Sequence, residues 1–138
     1  AGLGEAAGDG DGLIEGDESC AVFTHLQLSG FIQGSFTPGS DQLGECTAQS
    51  NMQNQFSGHY LLSHTVQGAN SRENAMTLQL GAAVPVSQLA EIDRKLDDGN
   101  PLRGAVQVVD GEEILCTTED EQWNEAGGEP CGAVYVIR

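Results

Sequence analysis

Apolar side chains recur along this chain with two different periods. Cys20, Val22, Phe23 and Leu26 fall on one face at helical spacing, with Gly30 as the stop. Asp17 is placed to cap that helix, and Glu18 suits its first turn. Phe31 and Ile32 are expected to enter the core after it. Val86, Leu89, Ile92 and Leu96 space at three and four, which predicts a short amphipathic helix over 87–97. Pro85 and Ser87 open it, and Gly99 and Pro101 close it. Elsewhere the period is two. Residues 59–66 read as a strand, Ala75–Leu80 alternates as a half-buried strand, and 67–74 is the polar connection between them. Residues 105–109 form a strand ending at the turn Asp110-Gly111, with Glu113–Cys116 able to pair after it, and 132–137 a terminal strand. Residues 33–55 are polar, Gly/Ser/Gln/Asn-rich and broken by Pro38-Gly39, so they read as a long loop. This order predicts an α+β fold: one domain, an antiparallel sheet of about four strands, short helices and long loops.

Composition narrows the function. The 138 residues suffice for one core, and no run of 18 apolar residues occurs among them. The net charge is −16, with five basic residues, which excludes a phosphate-tracking surface and so a nucleic-acid partner. The acids cluster: Glu5 to Glu18 and Asp110 to Glu129 hold 14 of the 21 carboxylates, with no Lys or Arg inside either run. Such clusters serve as solvated surface or bind divalent cations.

Four cysteines, Cys20, Cys46, Cys116 and Cys131, allow three pairings, and no C-x-x-C pair suggests zinc. The sequence-local pairing, Cys20 with Cys46 and Cys116 with Cys131, is favoured over the others and over four free thiols. Two disulfides would place the chain in an oxidising compartment.

The loop Gly8–Glu18 carries the clearest chemistry. Against a calcium-loop spacing, Asp9 and Asp11 take positions 3 and 5, and Gly12 the sharp turn. Leu13 offers its carbonyl, Glu15 takes position 9 and Glu18 is the terminal acid. Only Ala7, at position 1, has no ligand to give. Hard oxygens at alternating positions suit Ca²⁺, and the defect implies weak affinity. The competing reading is an acidic turn that caps a helix. Asp97, Asp98 and Asn100 make a second oxygen-rich turn, either a weaker metal candidate or a helix end whose acids need Arg94, Lys95 or Arg103 to offset the dipole. Trp123 stands between Cys116 and Cys131, as an exposed contact residue or as packing. No catalytic constellation emerges from the residues, so no enzyme activity is expected: His59 and His64, five apart on a strand, face opposite sides.

Two segments resemble bacterial type IV pilin-like proteins, the class made with a prepilin-type cleavage signal and including type II secretion pseudopilins. They are residues 8–39, GDGDGLIEGDESCAVFTHLQLSGFIQGSFTPG, and residues 84–108, VPVSQLAEIDRKLDDGNPLRGAVQV. The shared features are the Gly/Asp loop before an aromatic-x-His-Leu helix, and the run Ile92, Asp93, Lys95, Asp97, Asp98, Gly99, Pro101, Gly104. The resemblance implies a pilin-like globular head, a structural filament subunit used in adhesion, motility or secretion. It further implies other pilin or pseudopilin subunits as partners, an extracellular or periplasmic bacterial location, and a structural role for His25. Membrane attachment would come only through an N-terminal apolar helix that these residues do not include. Cysteines bracketing a C-terminal loop suit such a head, and calcium on a head loop suits a pseudopilin. The alternative from another class is a free-standing secreted calcium-binding or adhesion module.

Overall fold

The computed structural model describes residues 8–42, 45–64, 68, 75–127 and 129–137. A 3₁₀ turn (Gly16–Glu18) leads into α1 (Val22–Leu28). There follow β1 (Leu61–Ser63), β2 (Thr77–Gln79), β3 (Val84–Pro85), α2 (Val86–Leu96) and β4 (Val106–Val108). The chain ends through α3 (Glu113–Cys116), β5 (Pro130–Cys131) and β6 (Ala133–Val136). The expected α+β fold is present: a four-stranded antiparallel sheet ordered β1-β2-β6-β4 and a small β3-β5 ribbon. The last strand, β6, is one of the two inner ones. Its Val134 pairs with Gln79 on one side and Gln107 on the other, so it joins the middle of the chain to its end.

The core lies between α2 and this sheet. Leu89 and Ala90 of α2 meet Val106 and Val108 of β4 and Ala133 of β6, all fully buried. The helical period of Val86, Leu89 and Ile92 puts one face of α2 there. Glu91 and Lys95, four apart on the outer face, form an exposed ion pair at 2.6 Å. Lys95 holds the Glu91 carboxyl below the ordinary glutamate range.

Disulfides join Cys20 to Cys46 and Cys116 to Cys131, and all four residues belong to the described structure. The first fastens the long loop, as expected. That loop is further tied by Ser40 bridging to Cys46, and by Asn51 Nδ2 donating to the Tyr60 carbonyl at 2.7 Å. Two bonds of this kind are characteristic of an oxidising compartment. Among the described residues, no helix is long and apolar enough to cross a membrane.

Four local expectations need correction. Asp17 does not cap α1; it lies in the 3₁₀ turn, and its carboxylate accepts the Ser40 hydroxyl at 2.7 Å. Residues 113–116 coil into a helical turn instead of pairing as a strand beside β4: the N–H groups of Cys116 and Thr117 bond the carbonyls of Glu112 and Glu113, so the segment satisfies its backbone locally. Phe31 does not enter the core: it is 80 % exposed. The reason is the end of α1, where Gly30 adopts φ 80° and the N–H groups of Gly30 and Phe31 turn back to the carbonyls of Gln27 and Leu26. That stop reverses the chain before Phe31 can reach the interior. Finally, α2 begins and ends one residue earlier than expected, with Asp97 as its C-terminal cap. Most of the expected connection 67–74 lies outside the described residues; Gly68 is described and bridges to Val109.

Candidate metal centre

The loop before α1 is built by short carboxylate turns. Asp9 Oδ1 accepts the N–H of Asp11 at 3.0 Å, and Asp11 Oδ1 accepts that of Leu13 at 2.7 Å. Each is a side chain mimicking a backbone turn two residues on. Gly10 and Gly12, with φ of 86° and 87°, make the reversals between them possible. Glu18 then reaches back from the 3₁₀ turn: Oε1 accepts the Asp9 N–H at 2.6 Å and Oε2 the Glu15 N–H at 3.4 Å. The result brings Asp9, Asp11 and Glu18 together, with one oxygen of each lying within 4.8 Å of the others.

Of the five residues expected here, three therefore converge by side chain. Glu15 is engaged through its N–H, and Leu13 through its N–H and its position on a neighbouring cleft. Ala7 lies outside the described residues. The arrangement fits a hard cation: Ca²⁺ takes oxygens at 2.3–2.6 Å, so ligand oxygens around it lie up to about 5 Å apart. Each carboxylate keeps acceptor capacity beyond the bond it makes to backbone. The three described basic side chains lie elsewhere, in ion pairs of Arg94 with Glu125, Lys95 with Glu91 and Arg103 with Asp98. No described Lys or Arg therefore pairs with Asp9, Asp11 or Glu18.

The second oxygen-rich turn is organised differently. Here the convergent carboxylates are Asp93, Asp97 and Asp98, not the expected set with Asn100. Each has protein donors. Asp93 Oδ1 accepts from Gly99 at 3.0 Å and Oδ2 from Trp123 Nε1 at 2.7 Å. Asp97 Oδ2 accepts from the N–H groups of Ala105 and Val106. Asp98 accepts from Asn100 at 2.8 Å and from Arg103 at 3.1 Å, while Asn100 Oδ1 accepts from Leu102. Of the three cations expected to offset the helix end, Arg103 does so, and backbone N–H groups do the rest. This turn is a hydrogen-bonded lock between α2 and β4.

Asp93 is the member that sequence reasoning did not single out as a site residue. It is fully buried, and burial pushes its carboxyl above the ordinary aspartate range. The Trp123 and Gly99 donors pull it back, and the charges of Asp97 and Asp98 push it up. Its position one turn before Asp97 on α2 was the available signal: a carboxylate on the apolar face needs a partner. Trp123 is that partner. It is 5 % exposed and part of the core, so of the two readings of this residue the structure shows packing.

A cleft of about 480 Å³ lies beside the first loop, lined by Leu13, Ile14, Val22, Leu26, His25 and His64 among others. His64 follows β1 directly. Its Nδ1 accepts the N–H of Ile14 at 2.7 Å, and its own N–H donates to the Ile14 carbonyl at 2.8 Å. His59 takes no part; it bridges to Gln53. No protein family, curated protein or solved structure matches this chain.

Proposed function

We propose that this chain is the globular head of a filament subunit of the type IV pilin-like class, in a pilus or a type II secretion pseudopilus, and that its first loop binds Ca²⁺. The observation that carries the reading is the pair of segments 8–39 and 84–108, in that order. In the fold the first makes the carboxylate loop and α1, and the second makes α2 and the lock that starts β4. Two disulfides and a capped, hydrogen-bonded set of loops suit a head that works in an oxidising space under load. In such a filament the acidic heads repel one another, so divalent cations or salt favour their packing. The cation in the loop would tie Asp9, Asp11 and Glu18 into one unit and hold the entry to α1.

Extracellular calcium modules bind at about 10⁻⁴ to 10⁻³ M. Calcium at ten times such a dissociation constant stabilises a fold by about 1.4 kcal/mol. Thermal melts in calcium and in chelator should differ accordingly, and Asp11→Asn should erase the difference. Equal melting temperatures would remove the metal from the proposal. Sheared surface filaments from the source cells should contain this chain by mass spectrometry, and should loosen in chelator or low salt. A chain found only in the soluble secreted fraction would overturn the filament reading.

A second reading is a free-standing secreted calcium-binding or adhesion module. It is favoured by Ile114 and Leu115 of α3, which are 91 % and 63 % exposed beside the loop closed by Cys116 and Cys131. Adjacent large apolar side chains held in water suit contact with a surface.

A further inference from the structure

We infer that the cleft beside the first loop binds a small apolar primary amine, with its carbon chain in the cleft and its ammonium group on Asp9, Asp11 and Glu18. The inference uses the same three carboxylates as the calcium reading, but it depends neither on calcium nor on filaments. Val22, His25 and Leu26 stand at three-and-four spacing on α1, so one face of that helix borders the cleft. Leu13 and Ile14 of the loop and Met76 before β2 add further apolar wall. The volume of about 480 Å³ falls within the range of about 300–1,000 Å³ for small-molecule sites. Such sites are mostly apolar, and a few polar groups fix one end of the ligand.

The carboxylates supply that fixed end. Glu18 lines the cleft, and one oxygen each of Asp9, Asp11 and Glu18 lies within 4.8 Å of the others. An ammonium nitrogen that donates three hydrogen bonds of about 2.8 Å holds its acceptors about 4.6 Å apart, the tetrahedral spacing. One primary amine therefore spans the three carboxylates, each of which accepts a charge-assisted bond. Charge decides the sign of the ligand. Among the described residues no Lys or Arg lines the cleft, and Arg94, Lys95 and Arg103 are held in ion pairs elsewhere. An alkyl carboxylate would bring like charge to the loop, and an alkyl ammonium brings the complement. His25 supports an incoming polar group as well: its Nε2 is buried without a hydrogen-bond partner, so the polar contacts of this wall are not all filled from within the chain.

The test compares three probes that share one carbon chain and differ in head group: octylammonium, octanol and octanoate. Each is titrated into methyl-labelled protein in chelator at about pH 7, where an alkyl amine is protonated. Binding is thus read without calcium, and it stands or falls apart from the calcium melts. Octylammonium should shift the methyl signals of Leu13, Ile14, Val22, Leu26 and Met76 and saturate. It should bind about tenfold or more tightly than octanol, the scale of hydrogen bonds to a charged group, and octanoate should bind most weakly. Asp11→Asn combined with Glu18→Gln should lose the preference for octylammonium over octanol. The comparison of head groups on the unsubstituted protein decides the matter even if that variant folds poorly. Absence of octylammonium binding, equal affinities for octylammonium and octanol, or saturation that leaves the cleft methyls unmoved would overturn the inference.

Discussion

Replacing Trp123 by phenylalanine isolates one hydrogen bond at the centre of the fold. The indole Nε1–H donates to Asp93 Oδ2 at 2.7 Å, with Trp123 5 % and Asp93 0 % exposed. A bond to a charged acceptor is worth about 1.5–3 kcal/mol, and its removal leaves the carboxylate oxygen without a donor. The smaller ring leaves a gap that adds about 1 kcal/mol. Trp123→Phe should therefore lose about 3 kcal/mol at about pH 8, read from urea denaturation by far-UV circular dichroism. That probe is needed because Trp123 is the single tryptophan.

The loss should also depend on pH with a definite sign. Burial raises the Asp93 carboxyl above its unfolded value, so the native state holds more protons in the window between the two, and stability falls as pH rises through it. The Trp123 bond opposes that rise. Without it the folded value climbs further, the window widens, and the variant loses more stability as pH rises. The gap between the two proteins should thus shrink as pH falls and Asp93 takes up its proton in both. In a double-mutant cycle with Asp93→Asn, the pair should show a coupling of about 1 kcal/mol or more. A loss under about 1 kcal/mol at pH 8, or one independent of pH, would refute this account of the core.

Removing the Cys116–Cys131 disulfide, which closes 15 residues, should cost about 3 kcal/mol, and Cys20–Cys46, which closes 26, about 3.5 kcal/mol. Denaturation of the paired Cys→Ser variants checks both, and the order of the two costs tests the chain-entropy account. Gly104→Ala should cost about 3 kcal/mol, since its φ of 83° is left-handed and an added Cβ would collide with Asp97 Oδ2, displacing the acceptor for Ala105 and Val106. Gly99→Ala should cost about 1 kcal/mol, because its added Cβ meets only the flexible Arg94 stem, at 3.1 Å. Equal costs at the two glycines would remove Asp97 from its role as a lock.

Local chemistry determined much of this protein from sequence alone. The three-and-four spacing of Val86, Leu89, Ile92 and Leu96 defines α2, and its first three members turn to the core while Leu96, at the last turn, stays exposed. Alternation defines β2, and Gly30 defines the end of α1 because few other residues accept its backbone. The acidic loop was legible too, since side chains two residues apart make turns with their own backbone, as Asp9 and Asp11 do. Tertiary structure decided what local pattern cannot carry. The placing of β6 between β2 and β4 rests on pairings of residues far apart in the chain, and a strand's own alternation does not name its neighbours. The same holds for Trp123, whose burial depends on meeting a carboxylate 30 residues away. Residues 113–116 could extend or coil, and they coil with Cys116 bonded to Cys131, a partner 15 residues on. His64 read as one more strand residue until the fold brought Ile14 to its ring, because a hydrogen bond across 50 residues leaves no trace in either segment.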